Sequence, residues 1–347
     1  MVGSEPEIVT GGGIRVDYLI TREGVAHNRL IGGNAIYSAV GAAIWSKSVT
    51  VLSRVGDNYP VEWLDSLVRS GIDISAVRRV PGTFDHRTFF AYRPDGVRDD
   101  TNPAKHYGRI GAALPRELED YMHSTPLQAD LDKLEPLAIR AEDCPSTISG
   151  VSAVHLAPLP IRSHLELAPF LRERGVRFIT IDPGERYMKP DLQQQIKKFL
   201  PYLDVFLPSE QEIQTLFGQN ASTAQAARTL IQWGCKSVVI KRGKHGAAVL
   251  HQDWNELRNY RAFHQASDPT VVDVTGAGDS FCGGFAIGLA AGAGQSLADR
   301  LDRAVRMGLV SSSYTIEGYG ALYPLIHGVD DRQSRLDKLG DFHTFES

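Results

Sequence analysis

The residues whose types and spacing best fit chemistry are Thr275-Gly276-Ala277-Gly278-Asp279, in the last third of a chain of 347 residues. Two glycines in three positions read as a tight turn, and the small, apolar run beginning at Ser280 reads as a helix. The first amides of a helix lack an intrahelical acceptor and sit at the positive end of its dipole, so such a turn cradles anions, phosphate among them. Asp279 places a carboxylate at that end. It could take a proton from an attacking hydroxyl while the amides of Gly276, Ala277 and Gly278 stabilise charge on a transferring phosphoryl group. Taken alone, the same residues also fit a helix-capping Asp on a permissive turn.

These residues need a scaffold. β-rich runs at 8–10, 49–55, 153–156, 177–181, 205–207 and 237–241 alternate with helical patterns, predicting α/β architecture: three layers, with a mainly parallel sheet between helices. Val61, Leu64, Leu67 and Val68 share one helical face, as do Ala224, Ala227, Leu230 and Ile231. Residues 14–30 and 86–98, the latter closed by Pro94-Asp95-Gly96, break the rhythm and read as extended segments of a small β-rich lid. Residues 99–144 are proline-punctuated and acidic, with helical stretches expected around 118–121 and 127–139. They read as an insertion packed beside the lid, narrowing the acceptor pocket or forming a dimer contact. The catalytic domain is expected over 1–325, with 326–347 as a C-terminal tail.

Composition narrows the class. With 42% hydrophobic and 22% charged residues the chain is an ordinary globular protein, and a formal charge of −4 lacks the basic excess that attracts nucleic acid or anionic lipid. Cys144, Cys235 and Cys282 are scattered singly, which reads as free thiols in a reducing compartment. Residues 1–7, with two acids and a proline, do not read as a signal peptide, and the longest apolar run, 281–294, is too short to span a bilayer. The expectation is a cytoplasmic protein with neither a nucleic-acid nor a membrane partner. No dinucleotide fingerprint, P-loop or zinc-protease motif is present.

The stretch Asp273-Val-Thr-Gly-Ala-Gly-Asp279-Ser-Phe-Cys-Gly-Gly284 resembles the C-terminal signature D-T-G-A-G-D-x-F-x-x-G of the ribokinase-like (PfkB) carbohydrate kinases. That family's N-terminal signature is similar to Gly32-Gly33-Asn34-Ala-Ile-Tyr-Ser-Ala-Val-Gly41 followed by Val51-Leu-Ser-Arg-Val-Gly56-Asp57. The resemblance runs from about residue 8 to 321, interrupted by the insertion. It implies a ribokinase-like fold and an ATP-dependent phosphotransferase that carries the γ-phosphate to a hydroxyl, typically primary, of a sugar-like acceptor. Asp279 would be the base, and Gly276, Ala277 and Gly278 the anion hole.

By the same resemblance Asp17 would accept hydrogen bonds from acceptor hydroxyls, a role suited to a carboxylate. Gly32, Gly33 and Asn34 would complete the sugar pocket, and His86 could reach the ligand from the lid. Lys241, Gly243 and Gly246 match a turn near the triphosphate. Glu212 matches an N-x-x-E motif that positions Mg²⁺ through water, although Ser209 stands where Asn is usual. Asp182-Pro-Gly-Glu-Arg186 weakly resembles D-x-N-x-R, with Gly184 in the Asn place. Asp273 aligns with a position that in some relatives helps bind a monovalent cation such as K⁺; a solvated turn Asp fits it equally well. Two alternatives stay open: a nucleoside kinase of the same family, and a catalytically weak sugar-sensing binder. A homodimer through the lid is the expected partner arrangement.

Overall fold

The computed structural model describes residues 7–93, 98–123, 125–265, 267–292, 295–339 and 344–345. The turn expected at 94–96 lies outside them. The chain enters through strand β1 (Ile8–Gly11), leaves the body for the hairpin β2 (Arg15–Ile20) and β3 (Ala26–Gly32), and returns through helix α1 (Asn34–Ala43). Strand β4 (Val49–Gly56), helix α2 (Val61–Arg69) and strand β5 (Val77–Val80) follow; β6 (Arg87–Tyr92) and β7 (Arg98–Asp99) go back to the hairpin, ahead of α3 (Pro103–Arg109). Next come β8 (Ala153–Leu156), α4 (Ile161–Glu173), β9 (Phe178–Ile181), α5 (Gln193–Phe199), β10 (Val205–Phe206), α6 (Glu210–Phe217) and α7 (Thr223–Gln232). The chain closes with β11 (Ser237–Lys241), β12 (Ala247–His251), β13 (Arg258–Tyr260), α8 (Ala277–Ala290), α9 (Leu297–Thr315), α10 (Tyr323–His327), α11 (Arg332–Leu339) and β14 (Thr344–Phe345).

The large sheet has the order β14-β13-β12-β11-β10-β9-β8-β1-β4-β5, parallel from β5 to β11 and antiparallel beyond. Its strands alternate faces residue by residue. Ile8, Val51, Ala153, Val205 and Val239 join one core with α1, α8 and α9, while Val9, Leu52, Val154, Phe206 and Val238 join the other with α4 to α7. Burial on both faces explains why the strands read as continuous apolar runs. The second sheet, β3-β2-β6-β7, is mixed, since β2 runs parallel to β6.

The helix carrying the anion-binding turn is pressed against its neighbours. A Cβ on Gly41 of α1 would lie 2.1 Å from the Ser280 carbonyl oxygen, and one on Gly283 would lie 1.8 Å from that of Ser38. The small residues of α1 and α8 are therefore what lets the two backbones meet and fixes where α8 begins.

Several expectations need correction. Val61 and Val68 are exposed at 51% and 53%, and only Leu64 and Leu67 of that face are buried, because α2 lies on the rim of the sheet. Residues 127–139 form turns rather than a helix. There the Asp130 carboxylate accepts the amides of Asp132 and Lys133, both at 2.8 Å, diverting the backbone from a helical ladder. Around 118–121 only a single 3₁₀ turn, Arg116–Leu118, forms. The stretch also enters the core: Tyr107, Leu118 and Tyr121 pack in one cluster and Ile139 in the other, and the Asp143 carboxylate lies 2.6 Å from Nε of the buried Arg54 on β4. The C-terminal segment expected as a tail carries α11, whose Leu339 is buried, and β14, which pairs with β13.

Candidate active site

Gly276 caps α8 in the left-handed conformation, φ 72°, and a Cβ there would lie 2.1 Å from the Tyr37 ring, so only glycine fits. The Ala277 amide donates to the Val274 carbonyl at 3.2 Å, which removes it from the expected anion hole. Among the described residues the amides of Gly276, Gly278 and Asp279 have no acceptor. Asp279 sits in the first turn and makes no capping hydrogen bond, so the capping alternative fails. Burial, then the nearby Asp182 charge, pushes its carboxyl up to about 7, while Lys241 and Arg98 pull the other way.

Lys241, at the end of β11, points inward to Asp182, with which it forms a buried ion pair. Its Nζ lies 3.6 Å from the position a Gly278 Cβ would take, directly beside the anion-binding turn. The Cys282 thiol lies 3.6 Å from Asp182, and Asp182 Oδ1 is buried without a partner. Asp182 holds Lys241 firmly protonated against its burial. Gly243 and Gly246 form the turn between β11 and β12. A Cβ on Gly246 would meet the Tyr260 carbonyl at 1.9 Å, and Gly246 accepts the Arg242 amide at 2.8 Å.

Ser209 answers its departure from the motif. It is the N-cap of α6 in a reciprocal capping box: its Oγ accepts the Glu212 amide at 3.2 Å, while Glu212 Oε2 accepts the Ser209 amide at 2.6 Å and its hydroxyl at 2.9 Å. Glu212 is buried, and burial with the Asp182 charge raises its carboxyl to about 8. Glu212, which feels the Asp182 charge, and the Asp182 oxygen buried without a partner fit a hard cation shared with bound phosphates.

At the lid side Asp17 is 3% exposed and neither carboxylate oxygen has a hydrogen-bond partner. A Cβ on Gly32 would lie 1.7 Å from that carboxylate, and Gly33, φ 97°, begins α1 against the Gly13 carbonyl. Burial raises the Asp17 carboxyl to about 7, opposed by Arg15. Asn34, expected to complete the sugar pocket, is bonded to the backbone at both ends of its side-chain amide. Its Oδ1 accepts the Gly13 amide and its Nδ2 donates to the Pro158 carbonyl, both at 2.7 Å, so it holds the pocket walls together.

His86 is buried, 4% exposed, with Nε2 accepting the Gly56 amide at 3.1 Å and its ring edge-on to Tyr59 at 5.1 Å. Burial, reinforced by Arg15, lowers its pKa to about 4. Asp273 accepts the Thr275 amide at 2.9 Å, closing the turn before the anion hole. Tyr92 on β6 meets the Thr275 hydroxyl at 3.1 Å, joining lid to turn.

Sequence reasoning missed Tyr37, Tyr59, Tyr92 and Gln128. Gln128 fills the space beside Gly184, 2.5 Å from where a Cβ would be, and accepts the Arg186 amide at 3.0 Å. No spacing rule links it to a site 56 residues later.

The family described as pfkB family carbohydrate kinase matches residues 148–327, which contain Asp182, Glu212, Lys241 and the α8 turn. A cytidine kinase of Thermococcus kodakarensis is 27% identical over 316 residues, covering 90% of this chain and 97% of its own. A fructoselysine 6-kinase of Escherichia coli is 27% identical over 294 residues, covering 84% and 91%. The Arabidopsis thaliana ribokinase solved with ribose and ATP superposes with a TM-score of 0.64 at 20% identity, covering 96% of this chain and 99% of that one, and so shares the fold. Among the described residues no helix is long and apolar enough to cross a membrane.

Proposed function

The chain belongs to the pfkB family of carbohydrate kinases and is a phosphotransferase acting on a sugar or nucleoside hydroxyl, and on that premise we propose that it moves the γ-phosphate of ATP with Asp279 as base. The observation that carries the reading is Asp279 itself: unbonded, in the first turn of α8, beside amides without acceptors and close enough to the buried Asp17 to feel its charge. A carboxyl near pH 7 is matched to taking a hydroxyl proton at neutral pH. The Gly276 and Gly278 amides and the Lys241 ammonium stand where negative charge grows during transfer. Asp17 orients the acceptor by accepting hydrogen bonds from its hydroxyls, and Tyr92 joins the lid to the turn so that water is kept from the phosphoryl group.

Glu212 and Asp182 would hold Mg²⁺ through water; the ion would neutralise phosphate charge. Lys241 with the Gly243–Gly246 turn would border the triphosphate. Asp273 keeps one carboxylate oxygen beyond the bond to Thr275, and potassium dependence of turnover tests its expected cation role. Similarity to a cytidine kinase over nine-tenths of the chain favours keeping nucleosides beside sugars as acceptors. The test is acceptor-dependent ADP release from ATP and Mg²⁺ across pentoses, hexoses, sugar acids and nucleosides. Release with at least one acceptor is expected; folded protein that binds ATP yet releases ADP with none of them would overturn the proposal in favour of a sensing binder.

A further inference from the structure

Arg15 and Asp17 stand two residues apart on β2, so their side chains leave the same face of the lid strand. The Arg15 guanidinium makes one hydrogen bond, from Nη1 to the Asp85 carbonyl at 3.2 Å, and among the described residues it has no ion pair. Its Nε lies 3.2 Å from where a Gly13 Cβ would be, against the backbone that Asn34 holds. The Asp85 carboxylate is taken by Arg87 at 2.6 Å. His86 sits beside it. Because Nε2 accepts the Gly56 amide, the ring proton belongs on Nδ1, which is buried without a partner. The Tyr59 hydroxyl, packed on the same ring, is also buried without a partner.

The pocket thus has an acceptor at Asp17 and donors at Arg15, His86 and Tyr59. A hydroxylated sugar ring satisfies the first. It leaves the guanidinium fork, a planar array that matches two adjacent acceptors, without its complement. Resting on the kinase reading above, we infer that Arg15 is a specificity-determining residue that selects acceptors carrying a pair of adjacent hydrogen-bond acceptors beyond the hydroxyls held by Asp17. Such a pair is supplied by the oxygens of a carboxylate or phosphate, or by O2 and N3 of a cytosine.

The test compares kcat/KM within matched pairs: fructose 6-phosphate against fructose, gluconate against glucose, and cytidine against ribose. Wild-type protein favours the first member of at least one pair by about tenfold or more, and Arg15→Gln brings that ratio to within about threefold of one. Arg15→Lys keeps the charge and loses the fork. It therefore retains part of a preference for an anionic acceptor and loses a preference for cytidine, which separates the two sources. A ratio unmoved by Arg15→Gln in protein with a wild-type melting profile, or the absence of preference in every wild-type pair, overturns the inference. The same ratios are read as Kd by calorimetry with a non-hydrolysable ATP analogue. Binding that selects through Arg15 in a protein that transfers no phosphate would overturn the kinase reading and leave this one standing.

Discussion

At the acceptor end of the site Asp17, Tyr59 and His86 hold buried polar atoms with no protein partner, whereas at the phosphate end Lys241 is paired with Asp182 and Ser209 with Glu212, and only Asp182 Oδ1 is left without a partner. Leaving a buried polar group unpaired costs about 1–3 kcal/mol, so the acceptor end destabilises the empty fold and recovers that free energy when a ligand supplies the partners. The phosphate end does the reverse. Its ion pair joins the end of β11 to the residue after β9 whether or not nucleotide is present and holds Lys241 beside the α8 turn, and its capping box fixes the start of α6. One region is built to be completed, the other to hold its shape.

The comparison breaks most visibly at Lys241. Lys241→Met leaves Asp182 buried without its cation, and the expected loss is about 3–5 kcal/mol in denaturant unfolding, together with loss of turnover. Adding Asp182→Asn should recover part of the stability and none of the turnover. A single variant as stable as wild type would place the ion pair outside the framework.

Asp17→Asn sharpens the other half. The folded carboxyl titrates near 7 and the unfolded one near the ordinary value of 3.8, so the folded state binds the proton more tightly. Ionised Asp17 therefore costs stability, and wild-type stability falls as pH rises from about 4 to about 7, then levels. The Asn variant should melt higher than wild type at about pH 8, the advantage shrinking toward pH 4, while acceptor binding weakens by about 1.5–3 kcal/mol. Lower stability at pH 8 with acceptor affinity intact would make Asp17 structural.

Ser209→Asn gives the smallest change. Both residues cap helices well, so unfolding should shift by less than about 0.5 kcal/mol and the KM for ATP by less than about threefold. A tenfold gain in Mg²⁺ sensitivity would show that the Asn of the family motif does more than cap.

Much of this site is legible in the sequence because backbone rules made it so. The α8 turn needs φ above zero at Gly276 and close approach to Tyr37, and the strands around it need β-branched residues on both faces. What could not be read is what depends on distant partners. The Leu127, Leu131 and Leu134 spacing mimics a helix, and only the Asp130 turn and the packing of Ile139 break it. The donors of the acceptor pocket, Tyr59 and His86, come from loops 27 residues apart that meet through hydrogen bonds of Gly56 with His86 and of Asn58 with Phe84. Likewise, the turn motif offers Ala277 as an anion-hole amide, and only the folded backbone brings the Val274 carbonyl to accept it.

The central claim is that Asp279 is the base, and the most direct measurement is kcat at saturating ATP and acceptor across about pH 6 to pH 8, for wild type and Asp279→Asn. The burial-raised carboxyl gives wild-type turnover that falls about tenfold per pH unit well below 7 and flattens above it. The Asn variant, folded as judged by its melting profile, should lose about 10²–10⁴ in kcat, and its residual turnover should lack that inflection. Turnover within a few fold of wild type, or an inflection near 7 that survives the substitution, would contradict the assignment.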